Sequence, residues 1–241
     1  MVYLKRGILL ILFFAGVLLS FPSCTANISG RLDTGGSGEF SVSTSLGNRM
    51  AALLRSLSGA TGSGGGEFTL SGPVIAKSMA DAPGVASVSF RNTGPFALEG
   101  AIKIAKIGDF LAPAGGRQGF ITLEEGQTGG RLGISLNRDA GPEILSRVSP
   151  EITDYLSALM SPIATGEILT KAEYLDLVSS VYGQAVAEEI SRGSIRAAID
   201  FPGPIISVKG GTYTGRRAEF TVPLLDLLVL ERPLSYEVSW K

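Results

Sequence analysis

Alternation of apolar and polar residues with a period of two dominates both ends of the chain. Residues 28–46 alternate around a glycine-rich turn at residues 34–38, which predicts a β-hairpin. Further strand-like stretches lie at residues 85–90, 98–107, 120–124, 131–136, 194–201, 206–208, 218–222 and 234–240. Strict alternation buries one face of a sheet and leaves the other in water, so the sheet is predicted to be mainly antiparallel.

Apolar residues at helical spacing predict helices at residues 46–57 and 71–82. Residues 59–66 contain five glycines and are predicted to form a flexible surface loop. Residues 224–230 are apolar apart from Asp226. This stretch is predicted to be a core strand, and an apolar lip that contacts membrane or ligand is the alternative.

Two longer helices are predicted in the middle of the chain, at residues 149–160 and 170–192. The second opens with a capping box formed by Thr170 and Glu173. The short connection between the helices predicts an antiparallel pair that packs on the apolar face of the sheet.

Strands that bracket helices, without regular alternation of the two, indicate an α+β fold. The predicted architecture is a mainly antiparallel sheet with helices packed on one face and the helical pair inserted between the N- and C-terminal strands. Residues 24–241 are predicted to form a single envelope domain, with the helical insertion at about residues 142–192. A chain of that length is long enough to bury one sizeable core.

The first 23 residues have the layout of an export signal. Lys5 and Arg6 precede an uncharged, mostly apolar stretch at residues 7–21. That stretch is shorter than the roughly 17–25 residues of a membrane-spanning helix. A small residue, Ser23, stands directly before Cys24. Residues 1–23 are therefore predicted to be a lipoprotein signal peptide.

Cys24 is the one cysteine of the sequence, and it stands where a bacterial lipoprotein carries its acylated cysteine. We expect lipidation of Cys24, with palmitate among the acyl groups. The protein would then be exported, exposed to the periplasm or a comparable envelope space, and anchored to an envelope membrane through its acyl chains. The sequence leaves open whether this is the inner or the outer membrane. An ordinary signal peptide with an incidental thiol and an uncleaved anchor are the alternatives.

Composition narrows the range of functions. Removal of Lys5 and Arg6 with the leader leaves 19 basic against 22 acidic residues, a net charge of −3. No basic field is available for nucleic acid, so no nucleic-acid partner is predicted. A single cysteine cannot form a disulfide within the chain, so the exported domain must depend on its apolar core.

The sequence contains no histidine, which removes the commonest general base and the commonest metal ligand. The adjacent acids at residues 124–125 and 188–189 point in different directions on a strand or helix, so they are predicted to be solvated surface. We therefore predict a protein that is not an enzyme, with no catalytic residues, no metal site and no cofactor.

The candidate ligand-binding residues lie on the two central helices. They are Tyr155, Tyr174, Val178, Tyr182 and Ala185. Long apolar side chains with amphipathic rings at the rim suit a pocket for a lipid or another amphipathic ligand. Alternatively, these side chains pack against the sheet as part of an ordinary apolar core.

The layout of the sequence resembles the LppM-like bacterial lipoproteins. A strand ending in residues 199–203 (IDFPG) is followed by another strand, a glycine-rich turn and a last strand ending at Trp240. The chain also starts with a hairpin directly after Cys24, followed by the helix at residues 48–57.

This resemblance covers about residues 24–110 and 194–241, and residues 142–192 are treated as an insertion. It implies an envelope protein with an α+β domain, and one branch of the family is connected with binding cell-wall glycolipids. No catalytic residues carry over from it. The expected function is that of a membrane-anchored envelope lipoprotein that binds a lipid or other amphipathic ligand. The alternative is a structural or interaction lipoprotein with a fully packed core, and a protein partner remains unknown.

Overall fold

A computed structural model describes residues 24–60, 71–111, 120–126, 129–146 and 150–241. The predicted leader at residues 1–23 and residues 61–66 of the predicted glycine-rich loop lie outside the described residues. The described chain forms two β-sheets and several helices, and its pairings are mainly antiparallel. The predicted α+β class is therefore confirmed.

The described residues contain eleven strands, in two sheets. In chain order the strands are β1 Thr25–Leu32, β2 Gly38–Ser45, β3 Val85–Gly94, β4 Ala97–Ile104, β5 Ile121–Gly126, β6 Gly129–Leu136, β7 Ser194–Asp200, β8 Ile205–Lys209, β9 Gly211–Thr214, β10 Arg217–Pro223 and β11 Leu234–Trp240. The seven-stranded sheet has the order β3-β4-β2-β1-β7-β10-β9, and the four-stranded sheet has the order β5-β6-β11-β8. The pairing of β1 with β7 is parallel, whereas the other described pairings are antiparallel.

The α-helices of the described chain vary widely in length. They are α1 Asn48–Ala60, α2 Gly72–Ala80, α3 Ile107–Leu111, α4 Gly141–Ser146, α5 Pro150–Ala158, α6 Pro162–Thr165, α7 Lys171–Tyr182, α8 Gln184–Arg192 and α9 Leu224–Val229. The predicted capping box is present at the start of α7. The backbone N–H and the hydroxyl of Thr170 both donate to the Glu173 carboxylate at 2.8 Å, and these bonds hold the pKa of Glu173 below its usual range.

The two sheets pack against each other around an apolar core, which we call the inter-sheet core. Its buried members are Leu32, Ile102, Ile104, Ile107, Phe201, Ile205, Ala218, Val238 and Trp240. The ring centroids of Phe201 and Trp240 lie 5.0 Å apart, and Phe220 meets Tyr236 edge-on at 5.8 Å. These aromatic pairs join the seven-stranded sheet to the four-stranded sheet.

A second apolar core, which we call the helix cluster, lies at the end of the seven-stranded sheet where β1 begins. Its buried members are Cys24, Met50, Leu54, Leu159, Tyr174, Val178, Val186, Ala187, Ile190, Leu228 and Val229. We expected residues 149–192 on the apolar face of the sheet. The four-stranded sheet covers that face instead, so the helices from this segment bury their apolar sides against α1, α9 and Cys24.

The predicted helix at residues 170–192 is wrong as a single element, because it is divided at Gly183 into α7 and α8. Gly183 adopts φ 88° and ψ 154°, a conformation that residues with a Cβ rarely accept. Its N–H donates to the Ser179 carbonyl at 2.9 Å, and its own carbonyl accepts from the Val186 N–H at 3.1 Å. Gly183 therefore ends one helix and begins the next.

The predicted core strand at residues 224–230 is also wrong, because this segment forms α9. In a short, continuously apolar segment, the sequence pattern is the same for a buried strand and for a buried helix. Leu228, Val229 and Leu230 are all buried, so the prediction that the segment belongs to the core is confirmed even though its conformation was not.

Candidate functional site

Cys24 lies directly at the start of the fold, without an intervening linker. β1 begins at the next residue, Thr25, and the Cys24 carbonyl accepts a hydrogen bond from the N–H of Ser194 at 3.0 Å. The side chain is only 6% exposed and packs in the helix cluster. The residue that we predicted to be lipidated is therefore a fixed part of the domain.

The surroundings of the Cys24 thiol do not activate it as a nucleophile. Burial raises the pKa of the thiol above its usual value, and the backbone N–H of Gly47 opposes this shift only in part. A thiol with a raised pKa is neutral at ordinary pH, and the neutral form is a poor nucleophile. The Cys24 thiol is therefore held in the neutral, unreactive form.

Glu189 connects α8 to the beginning of α1, beside Cys24. One carboxylate oxygen accepts the N–H of Arg49 at 2.9 Å, and the other accepts the N–H of Met50 at 2.8 Å. Both groups belong to the first turn of α1, where backbone donors lack a partner within the helix. The prediction of solvated acids at residues 188–189 is therefore wrong for Glu189, and no sequence signal links two residues that lie 139 positions apart.

We expect Glu189→Gln to lower the free energy of unfolding by about 1–2 kcal/mol, because an amide cannot accept both N–H groups as a charged carboxylate does. Glu188→Gln is the matched control. Glu188 is exposed and pairs with Arg192 at 3.3 Å, so its loss should cost about 0.5 kcal/mol or less. Urea unfolding of residues 24–241, followed by circular dichroism, measures the difference. Equal midpoints for the two variants would contradict the capping role.

Tyr174 and Val178, two of the five predicted ligand-binding residues, have no accessible surface. The Tyr174 hydroxyl donates to the Leu159 carbonyl at 3.2 Å, and burial, followed by the influence of Tyr182, raises the pKa of Tyr174. A side chain without accessible surface borders no void of water size. The placement of these two residues therefore favours the packed-core alternative.

The other three predicted ligand-binding residues have different surroundings. Tyr155 is half-buried and packs against the helix cluster. Tyr182 is also half-buried, and its hydroxyl donates to the Ala158 carbonyl. Ala185 is exposed on α8. The structure thus brings Tyr155, Tyr174, Val178 and Tyr182 together in one cluster and leaves Ala185 on the surface.

The outer face of the seven-stranded sheet, which we call the polar face, carries three adjoining concavities of about 440, 360 and 260 Å³. Ser29 borders all three, and Asn27 and Ser41 each border two. The pairing register aligns small polar residues across neighbouring strands, with Ser29 opposite Ser41 and Ser41 opposite Ala101. Short side chains at the centre of the sheet and longer ones around them produce this shallow depression.

Ion pairs surround the small residues of the polar face. Arg217 lies 3.2 Å from Asp200 and 3.4 Å from Glu219, and Lys103 lies 3.5 Å from Glu39. These pairs are exposed and contribute little to stability. Together with the serine hydroxyls they offer both donors and acceptors, so the face can hydrogen-bond a polar partner.

A further groove of about 760 Å³ lies on the outer side of the four-stranded sheet. Arg131, which pairs with Glu237, lines this groove together with Glu124, Asp139 and Glu143. Within the described ranges, no group of three or more metal-ligating side chains is present. In the same part of the chain, no helix has the length and hydropathy needed to cross a membrane.

Comparisons with known proteins give one distant similarity. No protein-family model and no curated protein matches the chain. Among solved structures, the chain is similar to the folded domain of LppM from Mycobacterium tuberculosis, determined by NMR, with a TM-score of 0.40 and 9% sequence identity. The match covers 92% of this chain and 93% of that one. It agrees with the resemblance found in the sequence only as a loose likeness of fold, and it indicates nothing about activity.

Proposed function

We propose that this protein is an exported lipoprotein, anchored to a bacterial envelope membrane by acyl chains on Cys24, and that its domain acts by binding and not by catalysis. One observation carries the proposal. A segment with the layout of an export signal, ending in Ser23, leads directly to the sole cysteine, and the first strand begins at the residue after it, Thr25. A single acyl chain holds a protein only weakly, whereas the two or three chains of a lipoprotein hold it firmly.

The chemistry of the described residues supports a non-catalytic role. The sequence offers no histidine as a general base, and the Cys24 thiol is buried with a raised pKa. The Tyr174 hydroxyl is engaged with a backbone carbonyl in the core. Several carboxylates, among them Asp200 and Glu219, form exposed ion pairs with arginine.

We expect metabolic labelling with a palmitate analogue to mark the wild-type protein and to leave Cys24→Ala unmarked, because the variant lacks the sulfur that accepts the first lipid. The labelled protein is detected after export in a bacterial host. Equal labelling of the two proteins would contradict lipidation at Cys24.

This labelling experiment needs a control for folding, because Cys24 also contributes to the helix cluster. Met50→Ala truncates a neighbouring buried side chain and leaves Cys24 in place. We expect Met50→Ala to be labelled like the wild type, which would separate loss of the acceptor sulfur from loss of packing.

The binding role is assigned to the surface of the domain and not to an internal lipid pocket. Tyr174 and Val178 lack accessible surface, whereas the polar face presents three concavities around Ser29. We therefore favour an interaction lipoprotein with a packed helix cluster over the lipid-binding hypothesis that the sequence suggested.

A fluorescent fatty acid distinguishes these two hypotheses. We expect no saturable binding of the probe by the non-acylated chain of residues 24–241, because the helix cluster leaves Tyr174 and Val178 without accessible surface. Fluorescence titration measures this directly. Saturable binding that is weakened by Tyr182→Ala, with the fold retained by circular dichroism, would restore the lipid-pocket hypothesis.

A further inference from the structure

Cys24 lies at one end of the seven-stranded sheet. Thr25 pairs with Ser45 of β2 and with Ser194 of β7, and Ser45 pairs with Ala97 of β4. These residues form one edge row at the end of the seven-stranded sheet, which we call the anchor end. Because Cys24 adjoins this row, acyl chains on Cys24 would be attached to the fold without an intervening flexible peptide linker.

The opposite end of the same sheet lies far from Cys24. β1 has eight residues, and at about 3.3 Å per residue its last residue, Leu32, lies roughly 23 Å from its first. Leu32 pairs with Gly38 across the β1–β2 turn, which contains the exposed Thr34. We call this side of the sheet the distal end. The β3–β4 turn with exposed Pro95 lies at the anchor end, so these two turns mark opposite ends of neighbouring strands.

The surroundings of Cys24 also carry exposed positive charge. Arg49 lies in the first turn of α1, and Arg196 on β7 pairs with Asn27 on β1. Within the described residues, the side chains of Arg49 and Arg196 form no ion pair, whereas Glu189 is occupied with the first turn of α1. Arginines close to a membrane are attracted to anionic headgroups.

We propose that the anchor end, with the adjoining helix cluster, rests against the lipid bilayer and that the β1–β2 turn points away from it. The occupant of this surface is a membrane with anionic headgroups. The proposal rests on the acylation of Cys24 under the proposed function, and it adds the face by which the domain meets the membrane. The polar face then stands on the side of the domain, where it is accessible to partners in the envelope.

The test is quenching of site-specific fluorophores by spin-labelled lipid headgroups. The full-length chain is exported, purified in detergent and reconstituted into vesicles of phosphatidylcholine and phosphatidylglycerol. Pro95→Cys and Thr34→Cys provide single maleimide-labelling sites at the anchor end and the distal end, because an acylated Cys24 has no free thiol. We expect strong loss of fluorescence at position 95 and little loss at position 34.

A second pair of labelled positions, one at each end of the sheet, serves as a control for local effects of the first two substitutions. Pro223→Cys lies at the anchor end, where Pro223 pairs with Ser194, and Thr214→Cys lies at the distal end, where Thr214 pairs with Arg217. Equal quenching at both ends in both pairs, or stronger quenching at the distal end, would overturn the orientation while leaving the anchor intact. Flotation of the unlabelled wild-type protein with the vesicles tests the anchor separately. If the wild-type protein does not float with the vesicles, the proposed function is overturned, and the orientation with it.

Discussion

Val178→Asp is expected to lower the free energy of unfolding by about 3–5 kcal/mol, because it places a charge without a partner in the helix cluster. Val178 has no accessible surface and lies among apolar side chains of α7, α8 and α9. At roughly 2–4 °C per kcal/mol for a domain of this size, the melting temperature should fall by about 10 °C. Thermal melting of residues 24–241, followed by circular dichroism, measures the shift.

Val181→Asp is the matched control, since it makes the same substitution on the same helix. Val181 is 54% exposed, so its change should alter the free energy of unfolding by about 0.5 kcal/mol or less. Similar melting temperatures for the two variants would mean that the buried face of α7 has been wrongly identified.

Trp240→Ala is expected to lower the free energy of unfolding by about 3–5 kcal/mol, because it creates a cavity in the inter-sheet core. Trp240 is 4% exposed, stacks at a tilt against Phe201 and covers Gly130. A Cβ at Gly130 would lie 2.3 Å from the Trp240 ring, so the indole occupies the space that a side chain would otherwise fill. Since Trp240 is the one tryptophan in the sequence, urea unfolding should be followed by circular dichroism and not by tryptophan fluorescence.

Tyr213→Ala provides the comparison for Trp240→Ala, because it removes an aromatic ring that is 47% exposed on the edge strand β9. We expect Tyr213→Ala to lower the free energy of unfolding by only about 0.5 kcal/mol. Equal unfolding midpoints for the two variants would contradict the packing of the two sheets against each other.

Many of the strands could be predicted from the sequence, because a strand depends on the alternation of neighbouring residues and on the turn residues beside it. Alternation with a period of two and glycine-rich turns predicted the β1–β2 hairpin, and the structure confirms it with an antiparallel register from Thr25 to Leu32. The division of the strands into two sheets was not readable. It depends on which distant strands pair, such as β1 with β7, and alternation carries no information about partners.

The helical segment shows where periodicity fails. Apolar residues at helical spacing continue on both sides of Gly183, and periodicity alone does not show that φ changes to 88° at that residue. The apolar run at residues 224–230 could equally be a buried strand or a buried helix by pattern alone. In both segments tertiary packing around the helix cluster decides the local conformation.

The candidate site was predictable only in part. Cys24 was singled out by its position after the leader, and the structure adds that it is buried at the start of β1. The role of Glu189 depends on a contact with α1 that no local pattern reveals. The polar face was also missed, because serines spaced two apart on separate strands look like ordinary solvated positions until the register aligns them.

Intact-mass measurement of the exported, detergent-extracted protein tests the central claim most directly. We expect the mass of residues 24–241 plus a diacylglyceryl group, with or without a further N-acyl chain, and fragmentation that places the added mass on Cys24. A protein that retains residues 1–23, or one that carries an unmodified thiol at Cys24, would contradict the anchored-lipoprotein account.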